Sequence, residues 1–431
     1  MVATKPARSH PQTLAAAASL EAHYYRRATC RICKAADLNS FLDFGLMPLA
    51  NSFRRAADGD DNRRFPLSCM YCGRCGLVQV PEVVDPSILF TRYNYFSSAS
   101  EPMVDHFRRQ ADLIRHEYLT DPSCLLCEIG SNDGTFLQNL VGLCRVVGID
   151  PADNVDAIAA QRGVTAVNGF FNSTTAANLR DLYGPAKVIF TANCFAHIDD
   201  LDEVMDGVIN LLSEDGVFVF ENHRFAHMLR TACFDQIYHE HLCYYTLRPI
   251  EQLMQRFGMR LIDVRLIPTQ GESFQIHCAR RGSGYEERPT VQRIRDDESE
   301  LGLDEPATYE RFARAVAQRR DELKTLLNDL KAAGKRIVGY GAPGKATILL
   351  NAMGIDADVI DYAVDSTSLK QGCVIPGTAI PIQPPEVLQS DSPDYLLLLA
   401  WNYADTILQR ESSLRERGIK FIVPAPTLRI V

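Results

Sequence analysis

The stretch Phe234-Asp235-Gln236-Ile237-Tyr238-His239-Glu240-His241 concentrates side chains able to move protons: two histidines flank a glutamate beside a tyrosine, and Tyr244 and Tyr245 follow. Imidazole titrates near neutral pH, so next to a cofactor domain this cluster suits acid/base catalysis. A His-x-His pair also suits a metal, or a pair of rings that merely stack or cap. No third ligand stands out, which disfavours a catalytic metal.

A second chemistry is written in cysteine. Cys30-Arg-Ile-Cys33 and Cys72-Gly-Arg-Cys75 each present two thiolates from one tight turn, and two such turns close a tetrahedron around zinc. Gly76 suits the close backbone approach these turns need. The pairs stand further apart than in the usual ribbon, and Cys69 is a spare thiol nearby. A closed four-thiolate site is structural: the expected zinc folds its module and does no chemistry. Cys124 and Cys127 share the spacing but sit in an apolar strand pattern, where buried small hydrophobes are expected instead.

These groups need elements to hold them. Residues 101–119 have helical periodicity. CLLCEIGSNDGTFLQNLV (124–141) then reads as a strand ending at Glu128, a turn carrying Gly130, Asn132 and Gly134, and a helix begun by Asp133-Gly134-Thr135. The next strand, VVGID, ends in Asp150, about 20 residues past Gly130, where doubly wound folds grip a ribose diol. The loop is Gly-x-Asn-x-Gly rather than a dinucleotide fingerprint, so a class I methyltransferase fits better than a pyrophosphate binder. Residues 187–192 read as a buried strand leading to Asn193 and His197, 201–212 as a helix, and Gly216 leads into the strand VFVFE. Cofactor contacts are expected from Glu128, Gly130, Asn132 and Asp133, and from Gly134, Asp150 and Asn193.

Beyond a charged, helical stretch at 285–330, RIVGYGA opens Gly339-x-Gly341-x-x-Gly344, and Asp365 ends the following strand. Alone this fingerprint is weak, and Pro343 is atypical of dehydrogenases. Amides of such a loop at a helix start hold any diphosphate.

The ordered blocks together resemble the S-adenosylmethionine-dependent sugar C-methyltransferases of antibiotic deoxysugar pathways. The resemblance covers about residues 24–431. It runs from the cysteine pairs and DFGLMPLANSF (43–53) through RYNYFSS (92–98), EIGSNDG (128–134) and the Asn193–His197 segment to FDQIYHEH (234–241). In the carboxy-terminal part it takes in GYGAPGK (339–345), KQG (370–372) and PGTAIPI (376–382). It implies His241 as the base that removes a proton beside a carbonyl, with Tyr238 and Glu240 orienting sugar or base. His197 is the other active-site histidine, and Tyr93 and Tyr95 match a pair closing over substrate. Gly341 and Lys345 are implied to help hold the sugar nucleotide, dTDP-linked in this family. Asn222-His223-Arg224 departs from the proline and aromatic that relatives carry there, which leaves regiochemistry and acceptor identity open; phosphate or carboxylate contact by His223 and Arg224, and a solvated loop, both stay open as well.

The expected α/β architecture is therefore a tail (1–23), a zinc-binding module (24–98), a class I methyltransferase Rossmann-like domain (99–284), a helical connector (285–330) and a second, carboxy-terminal Rossmann-like domain (331–431). The expected activity is C-methylation next to the ketone of a nucleotide-linked deoxy-keto-sugar. The alternatives are a non-sugar ketone acceptor, an NAD-dependent oxidoreductase, or a zinc-ribbon adaptor. A net charge of −9 gives no general attraction to nucleic acid or anionic membrane. No apolar run approaches the roughly 20 residues of a spanning helix. Thirteen cysteines, an odd number with paired spacings, point to a reduced cytoplasm with one metal site.

Overall fold

The computed structural model describes residues 23–58, 63–91 and 96–431. The expected tail up to residue 22, and Tyr93 and Tyr95, lie outside the described residues.

A seven-stranded sheet forms the centre. Its spatial order is Met259–Ile267, Ser273–Arg280, Leu212–His223, Ala186–Ala192, Leu125–Ile129, Arg145–Asp150 and Thr165–Asn168. Only Ser273–Arg280 runs antiparallel to its neighbours. Side chains of one strand alternate between two apolar layers. Leu126, Val188 and Phe190 face the helix Glu101–Tyr118, whose Met103, Phe107, Ala111 and Ile114 recur at helical spacing. Leu125, Cys127 and Ile189 face the helices Ser173–Tyr183 and Leu201–Leu211. Cys127 is thus a buried hydrophobe. The helix expected after the Gly130–Gly134 turn does not form, and the chain makes only a short 3-10 turn at Leu137–Asn139. Gly134 is left-handed there, and the Asn139 amide donates to the carbonyls of Thr135 and Phe136, competing with a helical ladder.

A second sheet of six strands has the order Ile382–Gln383, Ala363–Val364, Ile337–Tyr340, Tyr395–Leu398, Lys420–Val423 and Arg429–Ile430. All but the last are parallel. In both sheets the strand order reverses beside the first strand, opening a crevice at the carboxyl ends where ligands of doubly wound folds sit. The two reversals are built alike. Gly130 (φ 72°) and Gly341 (φ 83°) end the first strands, and a Cβ on either would come within 2.9 Å of Cys194 or 2.8 Å of Ala400. The aspartates ending the second strands, Asp150 and Asp365, each accept from the amide of the glycine turn, Asn132 at 2.9 Å and Ala342 at 2.7 Å. Short 3-10 turns, Phe195–His197 and Trp401–Tyr403, follow Cys194 and Ala400.

The amino-terminal module is a sheet of Leu38–Pro48, Arg64–Cys72 and Val78–Gln79, and its fourth strand, Cys243–Tyr244, comes from the methyltransferase unit. A two-stranded pairing of Arg54–Arg55 with Cys373–Val374 ties the same module to the carboxy-terminal sheet. The long helix Pro306–Ala332 docks on it through Tyr309, stacked on Tyr71 with ring centroids 3.8 Å apart. Such a pair contributes roughly 0.5–1.5 kcal/mol beyond its buried area. The expected connector is therefore this helix plus Pro289–Ser299, which packs on the central sheet.

Replacing Gly130 with Ala forces a side chain into a left-handed backbone and against Cys194. We predict a loss of roughly 1–3 kcal/mol, read as a lower denaturation midpoint. An unchanged midpoint would show that the Gly130 turn tolerates a side chain.

Candidate active site

Both crevices open into one cavity of about 560 Å³. Gly130, Asn132, Asp150, Asn193 and Cys194 line it from the central sheet. Pro343, Gly344, Lys345, Lys370, Asn402 and Tyr403 line it from the carboxy-terminal unit. His197, His223, Tyr238 and His241 stand in the same wall.

At the first crevice, Asp150 accepts the Asn132 and Ala152 amides at 2.9 Å each, which fixes its carboxylate at the cavity edge. Burial pushes its pKa up, and those two amides oppose the shift. Asn193 is left-handed (φ 53°), and its buried Oδ1 has no protein partner among the described residues. Of the expected cofactor residues, Glu128, Asp133 and Gly134 stand behind the wall. Glu128 is buried, and its pKa is driven well up by desolvation and then by Asp150, Asp133 and Glu221. Asp133 accepts from Ser98 and Thr135 and pairs with Arg162. Gly134 packs on Ala159 and Val164.

The proton-moving groups gather around His241. Its ring lies 3.9 Å from that of Tyr238, 4.9 Å from His223 and 5.1 Å from His197, centroid to centroid. His241 Nδ1 lies 2.8 Å from the Gln236 carbonyl oxygen. A carbonyl can only accept, so Nδ1 carries the hydrogen and Nε2 is left as the basic nitrogen. Burial lowers the His241 pKa to about 4, against the pull of that carbonyl, and lowers His197 and His223 well below their ordinary value. The three rings are therefore neutral near pH 7. His197 Nε2 has no protein partner among the described residues, and Phe90 stacks on the ring at 5.5 Å.

The neighbours of His241 in sequence have other duties. Glu240 is buried and accepts twice from the Asn51 amide, at 2.7 and 2.9 Å, so it reaches the cavity through Asn51. His239 lies 3.1 Å from the Pro66 carbonyl and packs edge-on against Phe65, fastening the loop to the amino-terminal module. Of the departure at 222–224, only His223 lines the cavity. Arg224 is buried in ion pairs with Glu272, Asp297 and Glu298, which leaves it neither solvated nor on a phosphate.

At the second crevice Lys345 donates to Asn402 Oδ1 at 2.6 Å and lies 3.9 Å over the Trp401 ring. Burial lowers its pKa to about 8, against the attraction of Asp235. Gly341 itself sits behind the turn. Lys370 donates to the Ala342 carbonyl at 2.8 Å. Sequence reasoning gave no role to Asn51, Gln236, Lys370, Asn402 or Tyr403. Asn51, Gln236 and Lys370 lie inside blocks it had singled out; Asn402 and Tyr403 follow the fourth strand of their unit as His197 follows its own.

The cysteines converge as their spacing implied. The ligand atoms of Cys30, Cys33, Cys72 and Cys75 all lie within 4.8 Å of one another, with the Cys30–Cys75 and Cys33–Cys72 sulfurs 3.5 Å apart. Four sulfurs about 2.3 Å from one zinc stand nearly this far apart in a tetrahedron, so the set fits that ion.

The buried rings bear on acid stability. His239 and His241 titrate near 4 in the folded chain and near 6.5 when unfolded. Between these values the unfolded state binds more protons, so stability rises with pH through that window and is lost on acidification. We predict a melting temperature that falls from about pH 6.5 toward about pH 4. A flat profile there would show that these rings are hydrated.

Three family models match in tandem: a zinc binding domain over residues 30–90, a methyltransferase domain over 104–264 and a C-methyltransferase C-terminal domain over 268–426. The C-methyltransferase NovU of Streptomyces niveus is 37% identical over 408 residues, which are 93% of this chain and 96% of that protein. Among solved structures, magnesium protoporphyrin IX methyltransferase from Synechocystis is 14% identical over 41% of this chain and 84% of its own, with a TM-score of 0.33. An S-adenosylmethionine-dependent methyltransferase from Clostridium acetobutylicum is 13% identical over 40% and 92%, also with a TM-score of 0.33. No helix among the described residues is long and apolar enough to cross a membrane. With its four-cysteine zinc site, central seven-stranded sheet and near full-length likeness to NovU, the chain belongs to the S-adenosylmethionine-dependent C-methyltransferases.

Proposed function

We propose that the enzyme methylates the carbon next to the ketone of a nucleotide-linked deoxy-keto-sugar, dTDP-linked as in the family it resembles, with His241 as the carbon base. The observation that carries this reading is the 2.8 Å bond from His241 Nδ1 to the Gln236 carbonyl, which leaves Nε2 basic in a cavity that both crevices share. Thirteen unpaired cysteines support a cytoplasmic site of action.

S-adenosylmethionine, when bound, supplies a methyl group on a positively charged sulfur. Asp150, with Asn132 and Asn193, would hold it at the first crevice, Asp150 on its ribose. The start of the helix Gly344–Met353, with Lys345 and Lys370, holds the diphosphate of the sugar nucleotide at the second. A diphosphate beside Lys345 favours the ammonium form against the burial that lowers it.

A ring carbon becomes nucleophilic only when its proton leaves. His241 Nε2 takes that proton, and His197 and Tyr238 stabilise the enolate oxygen. Burial alone makes this imidazole a weak base. The imidazolium and enolate form together as a pair of opposite charges in a dry site, which raises the basicity that burial suppresses. Glu240 acts through Asn51 and is no rival for the proton.

His241→Asn keeps approximate size but lacks the acceptor. We expect it to bind cofactor and sugar nucleotide while losing methyl transfer, and solvent exchange of the proton at the methylated carbon, by roughly 10²–10⁴-fold. Mass spectrometry on a panel of keto-sugar nucleotides reads both losses and identifies the acceptor. Exchange that persists in His241→Asn but vanishes in Glu240→Gln would reverse the assignment. Asp150→Ala should weaken cofactor binding about tenfold or more in calorimetry; unchanged affinity would place the ribose elsewhere.

A further inference from the structure

Arg31, the residue after the first zinc-ligand cysteine, is fully buried. A buried guanidinium is costly unless paired, so its partners show what the burial accomplishes. Its Nε donates to Asp199 Oδ1 at 3.0 Å, and its Nη1 to Gln79 Oε1 at 3.2 Å and to the Leu242 carbonyl at 3.4 Å. Leu242 follows His241, and Asp199 stands two residues after His197. One side chain therefore grips both chain segments that carry the paired imidazoles. The same Leu242 peptide accepts from Val80 at 3.1 Å and donates to the Ala196 carbonyl at 2.8 Å, so the cysteine module, the His241 segment and the His197 turn meet at one point. The pairing of Val78–Gln79 with Cys243–Tyr244 continues that junction as a strand.

We propose that Arg31 is a positioning residue through which the zinc turn sets the spacing of His197 and His241. Zinc bound to Cys30 and Cys33 fixes the backbone from which Arg31 projects, and the guanidinium carries that constraint to the two ring-bearing segments. The zinc site then contributes to the rate of deprotonation as well as to folding, although it lies outside the cavity wall. This inference rests on His241 as the base. Proton transfer is sensitive to displacements of well under an ångström, and groups that orient reacting residues commonly change activity 10–100-fold.

The test is Arg31→Met in the full-length chain, which keeps an apolar stem and removes the donors. Expected are about one zinc per chain by metal analysis, cofactor affinity and sugar-nucleotide KM within about threefold, and substrate-proton exchange slowed roughly 10–100-fold. Added guanidinium ion should recover part of the exchange, and Arg31→Lys should retain more than Arg31→Met. The acidic limb of the exchange profile should move to higher pH as His241 becomes hydrated. Normal exchange in a folded, zinc-loaded Arg31→Met protein would overturn the proposal. Should that variant lose zinc or fail to fold, Asp199→Asn decides: it weakens one arm of Arg31, together with the Asp199 contacts to Arg27 and Tyr25, and leaves Arg31 and the four cysteines in place, and unchanged exchange there overturns the proposal as well. His241→Asn separates the two ideas. If it still exchanges, the base assignment has failed; if it does not and the Arg31 variants are normal, only the positioning role has failed.

Discussion

The Gln236 carbonyl decides which nitrogen of His241 carries the hydrogen, and much of the structure holds that carbonyl still. It accepts from His241 Nδ1 at 2.8 Å and from the Tyr244 hydroxyl at 3.1 Å. The Gln236 side chain donates to the Gln270 carbonyl at 2.6 Å. Asp235, one residue earlier, accepts from the Trp401 indole at 2.5 Å, bringing in the carboxy-terminal unit. His239, two residues before His241, is fastened to the amino-terminal module. The amino-terminal module and the carboxy-terminal unit thus both reach these eight residues of the methyltransferase unit. A loop this short cannot fix its own shape, because its backbone forms no regular ladder; the rigidity that keeps the Gln236 carbonyl on His241 has to come from neighbours.

The two α/β units solve the same steric problem in the same way. Each brings two backbone segments close together at the point where strand order reverses, and each uses a left-handed glycine backed by a small residue just after its fourth strand. Asp150 and Asp365 then brace the two glycine turns through an amide. The repeat is one of geometry rather than of sequence: Cys194 and Ala400 share only small size, and His197 and Tyr403 only their place at the end of a 3-10 turn. Small size is all that the contact demands.

How much of this was legible in the sequence follows from the range of each interaction. The four cysteines, Gly130 and Asp150 are set by contacts within a turn or across one strand–turn–strand unit, and those spacings survive in the linear pattern. His241 and Lys345 were legible through blocks of residues whose combined order is specific. Asn51 was not, because its partner Glu240 lies 189 positions away. Arg31 was not legible either, since nothing in Cys-x-x-Cys reveals a buried guanidinium. The helix expected after Gly134 failed for a local reason: the Asn139 side chain satisfies carbonyls that a helix would have used.

Charge is distributed within the cavity in a way that suits two unlike ligands. Behind the first crevice Glu128 crowds against Asp133, Asp150 and Glu221, and the Glu128 carboxyl is pushed well up in pKa by burial and these neighbours. Hydrogen bonds already serve part of that group, since the His106 ring and the Gln275 amide lie 2.8 Å from the two Glu221 oxygens. A positive ligand would relieve the rest. The second crevice is the reverse: Lys345 and Lys370 are both lowered in pKa by burial, so an anion there would favour their charged forms. A sulfonium and a diphosphate are ligands of those two signs. Each would be disfavoured in the other's crevice by the same fields that welcome it in its own. The polarity of the cavity would therefore sort a cationic from an anionic ligand before any specific hydrogen bond is made, and a net charge of −9 does not oppose this, because the basic groups at the second crevice are local.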